Sequence, residues 1–320
     1  MVGSSVEFYI LPAIPCFGDK DIMWPSQNAL ALPREYYFCD LEPHITHSVH
    51  RFFLKNDVER LLIIPDEWNC QGYVRLARCH PSRRENENGR DISIKCLVDN
   101  NLEMPKTLNN KSRERNGPAW KKLNLYKQNI FSIMSWYTVI TEIDNLLYVY
   151  CPIWPDVAKR WVSRQRHTGW PDQTVLKLCV SKGCDIVAST HPDHRPNTKQ
   201  FRYSFSRVEV ILLNSWTPTL QLLYHMLRFI TKNDPVLQSE DDKPLLCRYH
   251  LKTLMLWACE RKSPDWWNSA NLVNICSQLL DILANMVLNG KIQNYFIPKC
   301  NLLGHNMDGI KRQATVRRLK

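Results

Sequence analysis

The spacing of apolar residues along this chain changes near Pro155. Before this point, short apolar runs alternate with polar turns, and residues 72–78 and 92–98 follow the every-second-residue pattern of a half-buried strand. A third run, residues 146–151, is continuously apolar. After Pro155, apolar residues recur every three or four positions, which is typical of helices. The change predicts an α+β fold, in which a mixed, twisted sheet is followed by a helical lobe.

The helical pattern covers six segments, residues 156–164, 171–180, 205–213, 217–231, 244–259 and 271–288. We therefore expect residues 1–155 to form the sheet-containing lobe and residues 156–305 to form a helical C-lobe. Residues 306–320 form a tail whose last eleven residues contain five basic side chains and no acid. A run of like charges of this kind predicts disorder.

Composition limits the classes of protein to which the chain can belong. Its 320 residues are 44% hydrophobic and include 33 aromatic side chains (11 Trp, 12 Tyr and 10 Phe), which is too apolar for a disordered chain. No run of 18 or more uncharged apolar residues is present, and residues 1–21 lack the basic start and apolar centre of a signal peptide. We expect no membrane partner and a location in the cytoplasm, or alternatively the nucleus.

Positive charge is concentrated in particular stretches of the chain. The net charge is +11, and residues 75–122 contribute +6 of it, with twelve basic and six acidic side chains. Lys159, Arg160, Arg164 and Arg166 follow one another at spacings that indicate a basic helix face. Such surfaces attract phosphate groups, although a solvated protein surface has the same composition. Residues 75–122 are therefore a candidate duplex-binding surface.

Three aspartates form a candidate metal site. Asp19 and Asp21 are two positions apart, so a strand would direct both to one face, and Asp144 precedes the apolar run 146–151. Carboxylate oxygens are the ligands that Mg²⁺ prefers, and three such groups suit a two-metal site. Upstream, the turn at Gly3 and Ser4 offers backbone N–H groups and a hydroxyl to a triphosphate. An Asp-x-Asp pair also occurs in turns, and Asp144 also suits a strand entry.

Motifs from residue 3 to residue 303 resemble a known family. They are residues 117–119 (GPA), 151–155 (CPIWP), 170–171 (WP), 201–209 (FRYSFSRVE), 249–253 (YHLKT) and 294–298 (NYFIP). In this respect the chain is similar to the Mab-domain nucleotidyltransferases, the family of cyclic GMP-AMP synthase and the invertebrate synthase-like receptors. The resemblance implies a nucleotidyltransferase core with a helical C-lobe. It also implies synthesis of a cyclic dinucleotide from ATP and GTP in innate immune signalling, with double-stranded RNA or DNA as activator.

The resemblance also implies roles for individual residues. Asp19, Asp21 and Asp144 would be catalytic and would bind Mg²⁺ or Mn²⁺. Residues implied to contact nucleotide are Gly3 and Ser4 at the triphosphate, Arg202, Ser204, Ser206 and Glu209 on the first C-lobe helix, Arg228 at the triphosphate, Tyr249 stacked on a base, and Lys252 near phosphate. Structural explanations remain for several of them, because Arg202 could pair with an acid, Tyr249 could be a core residue and Lys252 could extend along a helix surface.

Some features depart from the family pattern. Active members have helices before the Gly-Ser turn, and this chain begins two residues before Gly3, so we expect an N-terminally truncated core. Phe8 stands where the family has Gly, and Phe201 where it has Trp. A catalytically degenerate protein that binds nucleotide, nucleic acid or a protein partner is therefore the alternative. No zinc is expected, because between Arg207 and Arg248 only His225 and Cys247 are suitable ligands. The oligomeric state is open.

Overall fold

The computed structural model describes residues 20–37, 59–66, 70–83, 92–98, 115–116, 119–128, 137–189, 191, 200–234, 237, 246–303 and 309–320. The chain divides into two compact units. The first contains Met1–Pro155, Ser181–His191 and Pro196–Val210, and the second contains Asp156–Val180, Pro192–Arg195 and Ile211–Lys320. Chain segments beyond Pro155 therefore return to the first unit.

The first unit is built on a nine-stranded sheet within the described residues. Its strands are β1 (Lys20–Leu32), β2 (Glu59–Pro65), β3 (Tyr73–Arg83), β4 (Ile92–Val98), β5 (Arg115–Asn116), β6 (Ala119–Gln128), β7 (Tyr137–Cys151), β8 (Cys184–Ala188) and β9 (Phe201–Ser204). A four-residue helix, α1 (Arg34–Tyr37), follows β1. The three apolar runs that predicted strands all lie within or largely overlap strands.

The sheet is mixed, as the alternating pattern predicted. β1 is parallel to β2 and to β7, while the other pairs are antiparallel. The strand order is β1-β2-β3-β9-β8-β7-β6-β5, with β4 added to β3. Because β1 also pairs with β7, the strands β1, β2, β3, β9, β8 and β7 form a closed ring of paired neighbours. A buried cluster holds these strands together; it consists of Leu30, Leu32, Leu62, Ala77, Tyr148, Tyr150 and Val187.

Two strands lie in the region for which only helices were predicted. β8 is five residues long with four of them buried, and β9 has four residues that are all half-buried. Gly183 precedes β8 with a φ of +59°, a left-handed conformation that favours glycine. A Cβ at this position would overlap the carbonyl oxygen of Cys151. Both strands lie between the predicted helical segments 171–180 and 205–213, and no strand was predicted there because each is too short for its periodicity to be recognised.

The remaining helices were largely predicted from the sequence. They are α2 (Lys159–Ser163), α3 (Gln173–Ser181), α4 (Ser206–Asn214), α5 (Pro218–Asn233), α6 (Arg248–Arg261), α7 (Leu272–Leu288) and α8 (Gly309–Leu319). The residues at the start of α5 explain where it begins. Thr217 accepts a hydrogen bond from the backbone N–H of Leu220 and Pro218 occupies the first turn, so α5 begins there.

The tail predicted to be disordered contains α8. Thr315, Val316 and Leu319 are buried, and α8 packs against α7. Arg318 forms an ion pair with Asp234, which follows α5. The prediction of disorder is wrong over Gly309–Leu319. The charged residues of this segment outnumber its three buried residues, so the charge pattern hid the helix. A face this small gives too weak a periodic signal to outweigh the charge run.

The predicted basic helix face between residues 159 and 166 is also not observed. α2 ends at Ser163, and Arg164 and Arg166 lie beyond it. The guanidinium of Arg164 donates to Glu260 at 2.6 Å, and Arg166 lies 3.5 Å from the same carboxylate. Both arginines therefore pair with a buried carboxylate in the second unit and do not form a basic surface.

One helix in the described part of the chain has the length and composition needed to cross a membrane. It runs from the turn at Ser269 through α7 to Leu288. Core helices of soluble proteins have the same length and composition. α7 buries a stripe of residues that includes Ile275, Leu279 and Leu283.

Candidate functional site

Two of the three predicted metal ligands are brought together by the sheet. β1 and β7 are adjacent and parallel, and Asp21 is the register partner of Asp144. Neighbouring strands lie about 4.8 Å apart, so the backbones at these two positions are direct neighbours across the sheet. Asp19, Gly3 and Ser4 lie outside the described residues. The structure thus relates Asp21 to Asp144 across 123 positions of sequence (144 − 21).

A third charged position lies in the same row of the sheet. On the other side of β7, Lys121 of β6 is the register partner of Asp144. The row across three strands therefore consists of Asp21, Asp144 and Lys121. Sequence reasoning missed Lys121 as a site neighbour, because strand register cannot be determined from the sequence of either strand alone.

The predicted nucleotide-contacting residues at 202–209 are divided between a strand and a helix. Arg202 and Ser204 lie on β9, whereas Ser206 and Glu209 lie in the first turns of α4. The prediction that all four are on one helix is wrong, since the helix begins only at Ser206. Phe205 at the junction is buried against Trp154, with ring centres 5.2 Å apart, and this contact fixes the junction.

The junction presents a pair of hydroxyl groups. Ser204 Oγ and Ser206 Oγ are 2.9 Å apart and hydrogen-bonded. Glu209 is buried, and Arg202 is half-buried. Neutral hydroxyls that can donate or accept suit the oxygen-rich surface of a ribose or a phosphate. The structure therefore groups Ser204 with Ser206.

Sheet geometry separates this junction from the aspartate pair. Val187 of β8 is the register partner of Arg202 on one side and of Tyr148 on the other. Tyr148 is four residues after Asp144 on β7, which is roughly 13 Å along a strand, and two strand spacings add about 10 Å across the sheet. The two positions are thus roughly 16 Å apart by ideal sheet geometry.

An ion pair next to the junction fixes the start of α4. Arg207 donates from Nη2 to Asp185 Oδ1 at 2.7 Å and from Nε to Oδ2 at 3.1 Å. Its guanidinium carbon also lies 4.3 Å from the ring centre of Tyr150. Burial raises the pKa of Asp185 to about 6, and Arg207 opposes that rise. Sequence reasoning missed this pair, since its partners are 22 positions apart on different elements.

In the second unit, two predicted nucleotide contacts share a face of α6. Tyr249 and Lys252 are three positions apart, and the ammonium of Lys252 lies 6.0 Å from the Tyr249 ring centre. Asn294 donates a hydrogen bond to the Tyr249 hydroxyl at 3.3 Å. Arg228 is on α5, where its guanidinium carbon lies 5.6 Å from the ring centre of Tyr224. An aromatic ring beside a lysine is an arrangement that can stack on a base and bind a phosphate.

Among the side chains that the structure describes, no group of three or more His, Cys, Asp or Glu residues is placed to hold a metal. For Asp21 and Asp144 the structure describes the backbone register alone. The donor types at these two positions fit Mg²⁺ or Mn²⁺, which bind carboxylate oxygen.

Comparison with known proteins matches most of the chain to one family. Residues 94–215 match the profile of the Mab-21 protein nucleotidyltransferase domain, and residues 218–320 match that of the Mab-21 protein HhH/H2TH-like domain. The first segment contains Asp144 and the β9–α4 junction, and the second contains Arg228, Tyr249 and Lys252. α8 therefore falls inside a matched domain.

Individual relatives are distant. The chain is 25% identical over 236 residues to the cyclic GMP-AMP synthase-like receptor of Magallana gigas, covering 72% of this chain and 38% of the relative. It is 26% identical over 127 residues to cyclic GMP-AMP synthase-like receptor 1 of Drosophila erecta, covering 39% and 27%. It is 25% identical over 158 residues to protein mab-21-like 3 of Danio rerio, covering 48% and 35%. The matched regions thus span between about a quarter and two fifths of these relatives.

Proposed function

Because the chain belongs to the Mab-21 family, with a nucleotidyltransferase domain followed by the family's C-terminal domain, we propose that it is a metal-dependent nucleotidyltransferase. Its substrates are ATP and GTP, its product is a cyclic dinucleotide, and its activator is double-stranded RNA or DNA. Two of its relatives are named cyclic GMP-AMP synthase-like receptors, which supports a role in innate immune signalling. The proposed location is the cytoplasm or the nucleus.

The observation that carries this proposal is the register of β1 and β7. Asp21 and Asp144 are paired across adjacent strands, and carboxylates at neighbouring positions suit shared divalent cations. When bound, Mg²⁺ or Mn²⁺ would lower the pKa of a ribose hydroxyl and offset charge on the phosphates. Asp19, two positions before Asp21, is the third proposed ligand.

Nucleotide contacts are proposed within each unit separately. In the first, the hydrogen-bonded Ser204 and Ser206 supply hydroxyls, and Arg202 supplies positive charge to a phosphate. In the second, Tyr249 supplies a ring for base stacking, and Lys252 lies close enough to place charge beside that ring. Gly3, Ser4, Glu209 and Arg228 are further proposed contacts on family resemblance.

Activation by a duplex is supported by charge. The chain carries +11, and residues 75–122 carry +6. Lysine and arginine clusters bind nucleic acid through phosphates and release counterions, so binding would weaken as salt rises. Charge alone does not distinguish RNA from DNA, since both present phosphates at similar density.

The experiment is a nucleotide incorporation assay on the 320-residue chain. The protein is incubated with α-labelled ATP and GTP, Mg²⁺ or Mn²⁺, and a long RNA or DNA duplex, and products are separated by chromatography. A phosphatase-resistant dinucleotide is expected from the unmodified protein. Asp21→Asn and Asp144→Asn should each reduce it at least a hundredfold, whereas Asp156→Asn, an exposed carboxylate in the other unit, should not. Absence of product with every duplex would contradict the proposal.

A second candidate function is nucleotide or nucleic-acid binding without turnover. It is favoured by the Tyr249 and Lys252 arrangement, which needs no carboxylate to bind a nucleotide. In that case ATP or GTP would raise the melting temperature of the protein, and Asp144→Asn would keep that increase while Tyr249→Ala would lose it. If neither nucleotide nor duplex raises the melting temperature, a nucleotide-independent role with a protein partner remains.

A further inference from the structure

α6 begins next to an exposed cysteine. Cys247 is the capping residue that precedes Arg248, the first residue of the helix, and it is exposed. The backbone N–H groups of Tyr249 and His250 hydrogen-bond to its sulfur. N–H groups at the start of a helix have no partner within the helix, and they favour negative charge. The cap position therefore stabilises the thiolate form of Cys247.

A histidine lies beside this cysteine. His250 Nδ1 accepts a hydrogen bond from the backbone N–H of Cys247 at 3.2 Å, and His250 Nε2 lies 3.3 Å from the carbonyl oxygen of Leu302. The histidine is only 9% exposed, so its ring is held in place while the cysteine beside it faces solvent. These two residues are here named the Cys247–His250 pair.

The electrostatics of the Cys247–His250 pair agree with this geometry. Packing around the sulfur raises the pKa of Cys247, but the charge of His250 and the hydrogen bonds to the sulfur lower it by more, so the pKa falls from 9.0 to about 7. Burial lowers the pKa of His250, and Cys247 raises it by more. Each member therefore stabilises the charged form of the other.

The other cysteines in the described part of the chain have different surroundings. Cys70 and Cys300 are half-buried, and Cys247 is the one that is exposed. Burial raises the pKa of Cys179, Cys184, Cys259 and Cys276. Because the thiolate is the nucleophilic form of cysteine, these four buried thiols are unreactive at neutral pH.

We propose that Cys247 is a covalent modification site that reacts with small-molecule disulfides such as oxidised glutathione, a property independent of the proposed catalytic function. The thiol proton passes to the imidazole of His250, and the sulfur attacks one sulfur of the disulfide. A bond forms between these two sulfurs as the S–S bond of the reagent breaks. The second sulfur leaves with the electron pair as a thiolate, which takes up the proton. Cys247 is oxidised and half of the reagent is reduced, so no other oxidant is needed.

A metal ion fits the Cys247–His250 pair less well. Zinc in a structural site takes four protein ligands, and no group of three or more His, Cys, Asp or Glu side chains is placed to hold a metal in the part of the chain that the structure describes.

Other charged residues lie near Cys247 in the sequence. Arg248 follows it directly, and Glu240, Asp241, Asp242 and Lys243 precede it, outside the described residues. A carboxylate beside the sulfur would raise the pKa of Cys247, and a lysine would lower it. A measured pH profile of the reaction includes both effects.

The first test is the reaction of the full chain with oxidised glutathione at about pH 7, followed by peptide mapping with mass spectrometry. The glutathione adduct should be found at Cys247, and dithiothreitol should remove it. The buried Cys179 and Cys276 should stay unmodified, and Cys247→Ser should lose the adduct at this position. A protein that carries no adduct at Cys247 would overturn the proposal.

The second test is the pH dependence of Cys247 alkylation by iodoacetamide. The rate should reach half its maximum near pH 7 in the folded protein, and at about pH 8.5–9 in the chain unfolded in urea. Because a thiolate of higher pKa is also more nucleophilic, the rate at about pH 7 should fall only about three- to sixfold on unfolding. Equal midpoints in the folded and the unfolded chain would overturn the proposal.

Matched variants test the part played by the histidine. His250→Gln removes the positive charge, and a glutamine at this helical position can still accept a hydrogen bond from the capping backbone N–H. The midpoint of the alkylation profile should therefore rise by at least about one pH unit. The control is His167→Gln, an exposed histidine outside the pair, which should leave the midpoint unchanged. An unchanged midpoint in His250→Gln would overturn the proposal.

Discussion

Replacing Glu260 by Gln tests whether the buried charges of the second unit determine its stability. Glu260 accepts hydrogen bonds from Arg164 at 2.6 Å and from the Tyr295 hydroxyl at 2.7 Å, and Arg166 lies 3.5 Å away. Arg164 also stacks on Trp257 at 4.3 Å and on Tyr295 at 4.5 Å, measured from its guanidinium carbon to the ring centres. The Glu260→Gln change keeps the shape of the side chain and removes its charge.

The size of the effect follows from burial. The side chains of Glu260, Arg164 and Arg166 are only 6%, 17% and 8% exposed, so the arginines have little water to replace the lost carboxylate. Removing one partner of a buried ion pair costs about 3–5 kcal/mol. The amide oxygen of the new side chain can still accept one hydrogen bond, and Arg164 keeps its bond to the Tyr295 carbonyl at 3.0 Å. We therefore expect a loss near the lower limit, about 3 kcal/mol.

Urea unfolding and thermal melting measure this loss. At about 2–4 °C per kcal/mol, the melting temperature of the second unit should fall by roughly 6–12 °C. The control is Asp156→Asn, which breaks an ion pair with Lys159 whose side chains are 65% and 69% exposed. Its effect should be at most about 0.5 kcal/mol. If Glu260→Gln and Asp156→Asn had equal effects, the buried network would not contribute as argued.

Two further predictions concern the first unit and a turn in the second. Gly183→Ala should lower the free energy of unfolding in urea by at least about 2 kcal/mol, because φ is +59° and the new Cβ would overlap the Cys151 carbonyl oxygen. Gly169→Ala is the control: φ is +72° but no atom lies within 4 Å of the new Cβ, so the loss should be about 1 kcal/mol. Equal losses would contradict the steric reason. In the folded protein the pKa of Asp185 is raised from 3.8 to about 6, so folding favours the protonated carboxyl. The free energy of unfolding should therefore fall by up to about 3 kcal/mol as the pH rises from about 4 to about 6, and then level off. Asp185→Asn should remove this fall, and an unchanged pH profile would show that Arg207 fully compensates burial.

Much of the fold could be predicted because long elements carry clear periodicity. α5 and α7 have 16 and 17 residues, and their buried faces repeat every three or four positions. β8 and β9 have five and four residues, so they contain too few repeats to be recognised. α8 was missed for a different reason, since its buried face of three residues is outnumbered by charges. The sequence-based prediction thus failed for β8, β9 and α8, whose secondary structure is determined by tertiary packing rather than by the local pattern of apolar residues.

The candidate site divides in a similar way. Residue types and spacing identified Asp21 and Asp144 as candidates, but their pairing depends on the register of β1 and β7. The same register adds Lys121, which no local motif indicated. Arg202 and Ser204 were assigned to the wrong element, because they lie on β9 and the helix begins only at Ser206.

The proposed function requires Asp21 and Asp144 to act together in nucleotide transfer. The most direct measurement is the rate of duplex-stimulated cyclic dinucleotide formation by the unmodified chain, Asp21→Asn, Asp144→Asn and the double variant. If both carboxylates hold the same cations, each single change should reduce the rate at least a hundredfold, and the double variant should be no slower than the slower single variant. Reductions that multiply in the double variant would contradict a shared site, as would a rate that either single change leaves intact.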